Sequence, residues 1–200
     1  MGIVVKATKV YRNLPCAHAQ WFDTNEDGSP GHCAQIHGYD RSVEFTFAGT
    51  PDGHGWIVPF GGLKPVKQFL EYYFDHVTVL PADDPRLENI PSEMTDAGGL
   101  LGTLRVLPYG VSMEMSSLFI WEHVNAYIYQ HTSGRCWVER VRVYEHDRND
   151  AMCEVDRDTA KLDAQRKIPS GDLLPMKPAW DWETPWEAMQ RLNNSNRWQG

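Results

Sequence analysis

Nowhere in its 200 residues does the chain carry an apolar run approaching the roughly 20 needed to span a bilayer as a helix, so no membrane span is expected. It has no run of Lys and Arg either. With a net charge of −8, nucleic-acid binding, which draws on neutralising phosphates, is not expected. The four cysteines, Cys16, Cys33, Cys136 and Cys153, form no CxxC pair. The opening MGIVVKATKV lacks the basic end, apolar core and small-residue cleavage site of a signal peptide. It also lacks the Ser or Thr near position six of a myristoylation signal. The expectation is a cytoplasmic protein without disulfides, each Cys being a small buried residue or a reactive thiol. Internal repeats and low-complexity tracts are missing as well.

What is present is the composition of a folded domain: 42% of residues are apolar and 12% aromatic, too many for a disordered chain. The length favours one domain with a real core. Residues 3–13 read as a strand. Residues 42–48 read as a second, with Val43, Phe45 and Phe47 alternating with Glu44 and Thr46. The turn-rich FDTNEDGSPG between them suggests an antiparallel hairpin with a long functional connection. Apolar residues at 63, 66, 70, 73 and 74 make a helical stripe, with Pro65 near its start. A second helix is predicted from about Met113 to Tyr129, with Leu118, Trp121 and Ile128 on or near its buried face. The stretch 77–112 is long for a connection, contains GGLLG, and reads as a functional or mobile loop. In CWVERVRVYEH, alternation puts Trp137, Val141, Val143 and Glu145 on one strand face. Residues 151–155 pair with that strand as a hairpin. The last forty residues hold half of the eight tryptophans, with little periodicity. There Thr184-Pro185-Trp186-Glu187 is a capping box that predicts a short helix near 185–193.

Several residues carry chemistry. Cys33 stands four residues before His37 in HCAQIHGYD, a pattern that suits a nucleophile or base beside a metal, or equally a buried Cys and a surface His. His18, on the first strand, is a ligand or a core histidine. Asp75-His76 ends the first helix; the pair acts as an acid–base unit only if the chain leaves the helix there, because adjacent helical residues do not face one another. Glu145, on an apolar strand face, needs a partner or an exit to solvent.

Taken in order, CAH, CAQIHG, GWIVPFGGLK, DH, SME and VRVYEH resemble the 6-pyruvoyl-tetrahydropterin synthase/6-carboxytetrahydropterin synthase family over roughly residues 3–155. The resemblance implies an α+β tunnelling fold, an antiparallel four-stranded sheet with two helices on one face. The pterin synthase-like domain would occupy 1–157, and 158–200 would form a Trp-rich C-terminal extension. It implies a homo-oligomer with active sites at subunit interfaces and a small-molecule pterin substrate. Carried over by position, His18 and His37 match zinc ligands, Cys33 the catalytic thiol, and Asp75 and His76 the acid–base pair. Glu145 matches the carboxylate that grips the pterin, and Ser112 and Glu114 fall in the segment lining its pocket. The three residues between Cys33 and His37 are similar to the 6-carboxytetrahydropterin branch, which feeds deazapurine (queuosine-type) synthesis. That branch converts 7,8-dihydroneopterin triphosphate to 6-carboxytetrahydropterin, releasing triphosphate and acetaldehyde. Lys64 and Arg41 are candidate triphosphate contacts.

The chain departs from the family at two points. Tyr39 stands where the third zinc-binding His belongs, and phenol, with a pKa near 10, is a poor zinc ligand. Cys16, on the strand face of His18, and His32, beside Cys33, are candidate substitutes. Pro59 replaces an Asp of the family, removing a polar contact and a backbone donor. Three readings follow: pterin chemistry with a rearranged Zn²⁺ site, a member that binds a pterin or purine without turnover, and a scaffold whose Trp-rich tail engages a partner.

Overall fold

The computed structural model describes residues 3–95, 98–108, 110–171 and 173–176. In chain order the elements are β1 (Val5–His18), β2 (His37–Gly49), α1 (Lys64–Phe74), β3 (Val77–Pro81), α2 (Ser92–Thr95) and β4 (Thr103–Leu107). They continue with α3 (Met113–His131), β5 (Cys136–Tyr144), β6 (Asp150–Glu154) and α4 (Arg157–Lys167). The strands hydrogen-bond in the order β4-β3-β1-β2-β5-β6. The fold is therefore α+β with a mixed six-stranded sheet, not the expected antiparallel four-stranded one. Among the described residues no helix is long and apolar enough to cross a membrane.

The two extra strands lie inside the stretch expected to be a loop. β3 pairs in parallel with Cys16–His18 of β1 and, on its other side, with β4. All five β3 residues are buried. Parallel strands covered on both faces show no polar alternation, so a five-residue run of this kind carries no period-two signal. β1 also runs further than residues 3–13, through Asn13 in a left-handed conformation (φ 61°) that Asn tolerates better than most residues.

The chain divides into two compact units. Among the described residues, one comprises 3–14, 40–72 and 113–176, the other 15–39 and 73–112. In the first unit β2 and β5 pair antiparallel from Ser42↔Tyr144 to Gly49↔Cys136, with a bulge. Thr46 faces Arg140 and Phe47 faces Val138, so Glu139 is the extra residue. The bulge shifts the alternation by one: Val138, Val141 and Val143 point the same way as Val43, Phe45 and Phe47, and all six are buried. Trp137 therefore lies on the opposite face from Val141, a correction to strict alternation.

The predicted stripe is realised by Leu63, just before α1, and by Val66, Leu70, Tyr73 and Phe74 on it, all buried and joined by Phe69, while Lys67 and Glu71 pair at 2.8 Å on the outer side. α3 is buried on most sides and is tied to β5 where Trp121 Nε1 donates to the Val138 carbonyl at 2.8 Å. α4 was not foreseen. Its buried stripe is Ala160, Asp163 and Ala164, too small and polar to show as apolar periodicity. It is capped by Asp156, whose carboxylate accepts from the N–H groups of Asp158 and Thr159. The helix expected near 185–193 and the Trp-rich end of the extension lie outside the described residues.

Asn125 of α3, fully buried, donates to the Ala160 carbonyl at 2.8 Å and accepts the Val138 N–H at 3.1 Å. Asn125→Ala strands both backbone groups, and denaturant unfolding is expected to show a loss of about 2–4 kcal/mol; a loss under about 0.5 kcal/mol contradicts this bridge. His123 packs with Phe119 and Phe69, ring centroids 4.8 and 5.6 Å away. Desolvation there, reinforced by Lys167, pushes its pKa from 6.5 down to about 4. The unfolded chain takes up the proton first, so this stability is intact above pH 6.5 and is lost as pH falls toward 4. The loss amounts to about 3 kcal/mol. His123→Phe is expected to flatten that part of the acid-unfolding profile.

Candidate functional site

The second unit holds the candidate histidines His18, His32, His37 and His76. His18 is the last residue of β1 and His37 the first of β2. The two strands come close because residue 38 is glycine: a Cβ there would sit 2.8 Å from the Cys16 carbonyl oxygen and 3.2 Å from the Ala17 Cα. With that space left open, the His18 and His37 ring centroids lie 4.3 Å apart. One nitrogen of each lies within 4.8 Å of the other. Tyr39, on the same face of β2 as His37, places its ring 6.1 Å from His18 and 5.8 Å from His37. His18 is buried, while His37 and Tyr39 are half-buried.

His37 Nδ1 meets the Gln35 carbonyl at 2.7 Å. A carbonyl only accepts, so Nδ1 carries the proton and the neutral ring keeps its Nε2 lone pair for a ligand. Two nitrogen ligands of one cation stand on the order of 3–4 Å apart. The two imidazoles are near enough to share a divalent ion, and the Tyr39 phenol stands beside them as the sequence places it. Of the candidate substitutes, Cys16 is buried on β1 and His32 is exposed on the turn before Cys33.

Cys33 is half-buried in the short turn His32–Ala34. Its N–H donates to Asp23 Oδ2 at 2.8 Å, and its carbonyl accepts the Gln20 N–H at 2.6 Å. Asp23 sits in a turn-rich loop whose composition carries no signal for this role. α1 ends at Phe74, and His76 takes a left-handed conformation (φ 54°). The chain has left the helix, which is the condition for the neighbours to meet: His76 Nδ1 donates to Asp75 Oδ1 at 2.5 Å. The His76 N–H bonds to the Pro15 carbonyl at 2.8 Å, whereas His18 pairs opposite Val79. The backbone thus sets Asp75-His76 three residues, roughly 10 Å of strand, away from the histidine pair. Ser112, half-buried, lies just before α3.

The remaining candidates belong to the first unit. Glu145 follows β5. It accepts from Asn149 Nδ2 at 3.1 Å, and its N–H bonds to the Asn149 carbonyl at 3.0 Å. A turn residue, not only a ligand, is therefore its partner. Glu114 is exposed in the first turn of α3, where its carbonyl accepts from Ser117 Oγ. Arg41 is buried and donates to Ser116 Oγ at 3.1 Å, and Lys64 is exposed at the start of α1. Pro59 precedes the short turn Phe60–Leu63 that leads into α1.

Comparison with known proteins bears on this arrangement. No curated protein matches the chain. Among solved structures, an uncharacterized protein from Wolinella succinogenes is similar with a TM-score of 0.63 at 16% identity, over 78% of this chain and 100% of that one. The 6-pyruvoyl tetrahydropterin synthase of Plasmodium vivax is similar with a TM-score of 0.52 at 18% identity, over 76% of this chain and 99% of that one. At such identities the likeness establishes the fold. The sequence description of one family, 6-pyruvoyl tetrahydropterin synthase, matches residues 8–156, well over half the chain. The chain belongs to the 6-pyruvoyl tetrahydropterin synthase family.

Proposed function

We propose that this protein is a cytoplasmic lyase acting on a pterin triphosphate, of the 6-carboxytetrahydropterin synthase type. The observation that carries the reading is the convergence of His18 and His37, the latter with its proton held on Nδ1 by the Gln35 carbonyl. The branch rests on the three residues separating Cys33 from His37. The substrate is then 7,8-dihydroneopterin triphosphate. We assign residues 1–157 to the pterin domain and 158–200 to an extension, with the working form a homo-oligomer.

His18 and His37 would hold a divalent cation, zinc by the nature of the donors, with Tyr39 beside them. Such an ion supplies Lewis acidity, polarising the side-chain oxygens of the substrate and making adjacent C–H bonds more acidic. Cys33, as thiolate, accepts a substrate proton. His76, its ring oriented by Asp75, returns or relays one. Glu145, steadied by Asn149, accepts two N–H donors of the pterin ring, and Ser112 and Glu114 are assigned to substrate binding. A second reading, ligand binding without turnover, is favoured by one observation: a phenol in the position of the third imidazole.

Metal analysis of protein purified without chelator is expected to find about one divalent ion per chain, and His37→Ala to lose both the ion and turnover. A metal-free wild type that does not consume the triphosphate rules the lyase out. Cys33→Ser is expected to lower kcat by about 10²–10⁴-fold while pterin binding persists. Glu145→Gln is expected to weaken pterin binding by about 1.5–3 kcal/mol, measurable by calorimetry. Pterin binding that survives chelation in a protein without turnover selects the second reading.

A further inference from the structure

The turn that carries Cys33 is three residues long, and helical turns of that length have little stability of their own. It is held instead from outside. Asp23 Oδ2 accepts the Cys33 N–H at 2.8 Å, and the Gln20 N–H donates to the Cys33 carbonyl at 2.6 Å. One residue on, the Ala34 carbonyl accepts Arg86 Nη1 at 2.7 Å. Arg86 is itself locked: Nε donates to Asp84 Oδ1 at 2.9 Å and Nη2 to Oδ2 at 2.6 Å, and the Arg86 N–H adds a third bond to Oδ1 at 2.9 Å. The Asp84 side chain is 0% exposed, so its charge requires a fixed partner, and the planar guanidinium fork provides one.

The Asp23 seat is equally specific. Its carbonyl accepts the Gly31 N–H at 2.8 Å, and its carboxylate occupies the space that a Cβ on residue 31 would fill. A charged acceptor on an amide makes a stronger bond than a neutral one, so Asp23 restrains the turn more firmly than an ordinary loop contact. All of these groups lie in one compact unit.

We propose that Asp23 and the Asp84–Arg86 fork are positioning residues that hold the Cys33 thiol in its working orientation. The inference rests on Cys33 being the thiol of the proposed reaction. A displacement near 1 Å in a reacting group costs on the order of 10²-fold in rate, so these contacts act on turnover through Cys33.

The test uses the full-length protein with Asp23→Ala, Asp23→Asn and Arg86→Lys. Asn keeps an acceptor oxygen for the Cys33 amide. Lys keeps a counter-charge for Asp84 but cannot also reach the Ala34 carbonyl, so the buried carboxylate is not stranded. One readout is the rate of Cys33 alkylation by iodoacetamide, mapped by mass spectrometry against half-buried Cys153 in the same chain. The other is kcat and KM for 7,8-dihydroneopterin triphosphate. Asp23→Ala and Arg86→Lys are expected to raise Cys33 alkylation about fivefold relative to Cys153. They are also expected to lower kcat by about 10–100-fold with KM changed by less than about threefold. Asp23→Asn is expected to recover both quantities to within about threefold of wild type. Unchanged Cys33 alkylation and kcat in Asp23→Ala and Arg86→Lys overturn the proposal. So does a rise in Cys33 and Cys153 reactivity together, which marks general loosening. A wild type without turnover removes the lyase reading alone, and the alkylation ratio still decides this one.

Discussion

The carbonyl oxygen of Cys16 lies only 2.8 Å from where a side chain on residue 38 would begin, and the arrangement of the histidines depends on that closeness. β1 ends at His18 and β2 starts at His37, so the two imidazoles sit at strand ends that meet with only a glycine between them and the neighbouring backbone. Rings on strands anchored by backbone hydrogen bonds keep their positions better than rings on a free loop. The 4.3 Å separation of the centroids is thus a property of the strand contact as much as of the side chains.

Several groups with a proposed role are steadied by a neighbour close in sequence. Gln35 fixes the tautomer of His37, Asp75 orients His76, and Asn149 holds Glu145. Short-range partners of this kind order a side chain with little additional chain to organise. Cys33 is the exception, because its turn is held by residues ten and more positions away. The thiol is therefore the group most exposed to changes elsewhere in its unit.

Stability in the other unit draws on a different device. Asn125 and Trp121 each place a polar side-chain group on a backbone group of β5, so that α3 packs with few stranded donors or acceptors. The bulge at Glu139 keeps Val138 in register with the apolar row of β2 where strict alternation would have turned it away. Apolar burial and backbone satisfaction are met together.

Sequence alone determined the elements whose signal is local. The alternation of Val43, Phe45 and Phe47, the stripe of α1 and the long apolar helix α3 are written in periods of two and 3.6, and the ordered motifs from CAH to VRVYEH supplied the candidate site residues. Tertiary structure decided what depends on partners far along the chain. β3 became a strand through parallel pairing with β1 and β4 through parallel pairing with β3, partners that no local alternation announces. α4 is a helix whose small buried face hides its period. Only folding could set the Asp84–Arg86 fork on the Ala34 carbonyl, because a hydrogen bond spanning 52 residues follows from the path of the backbone and from no spacing in the sequence.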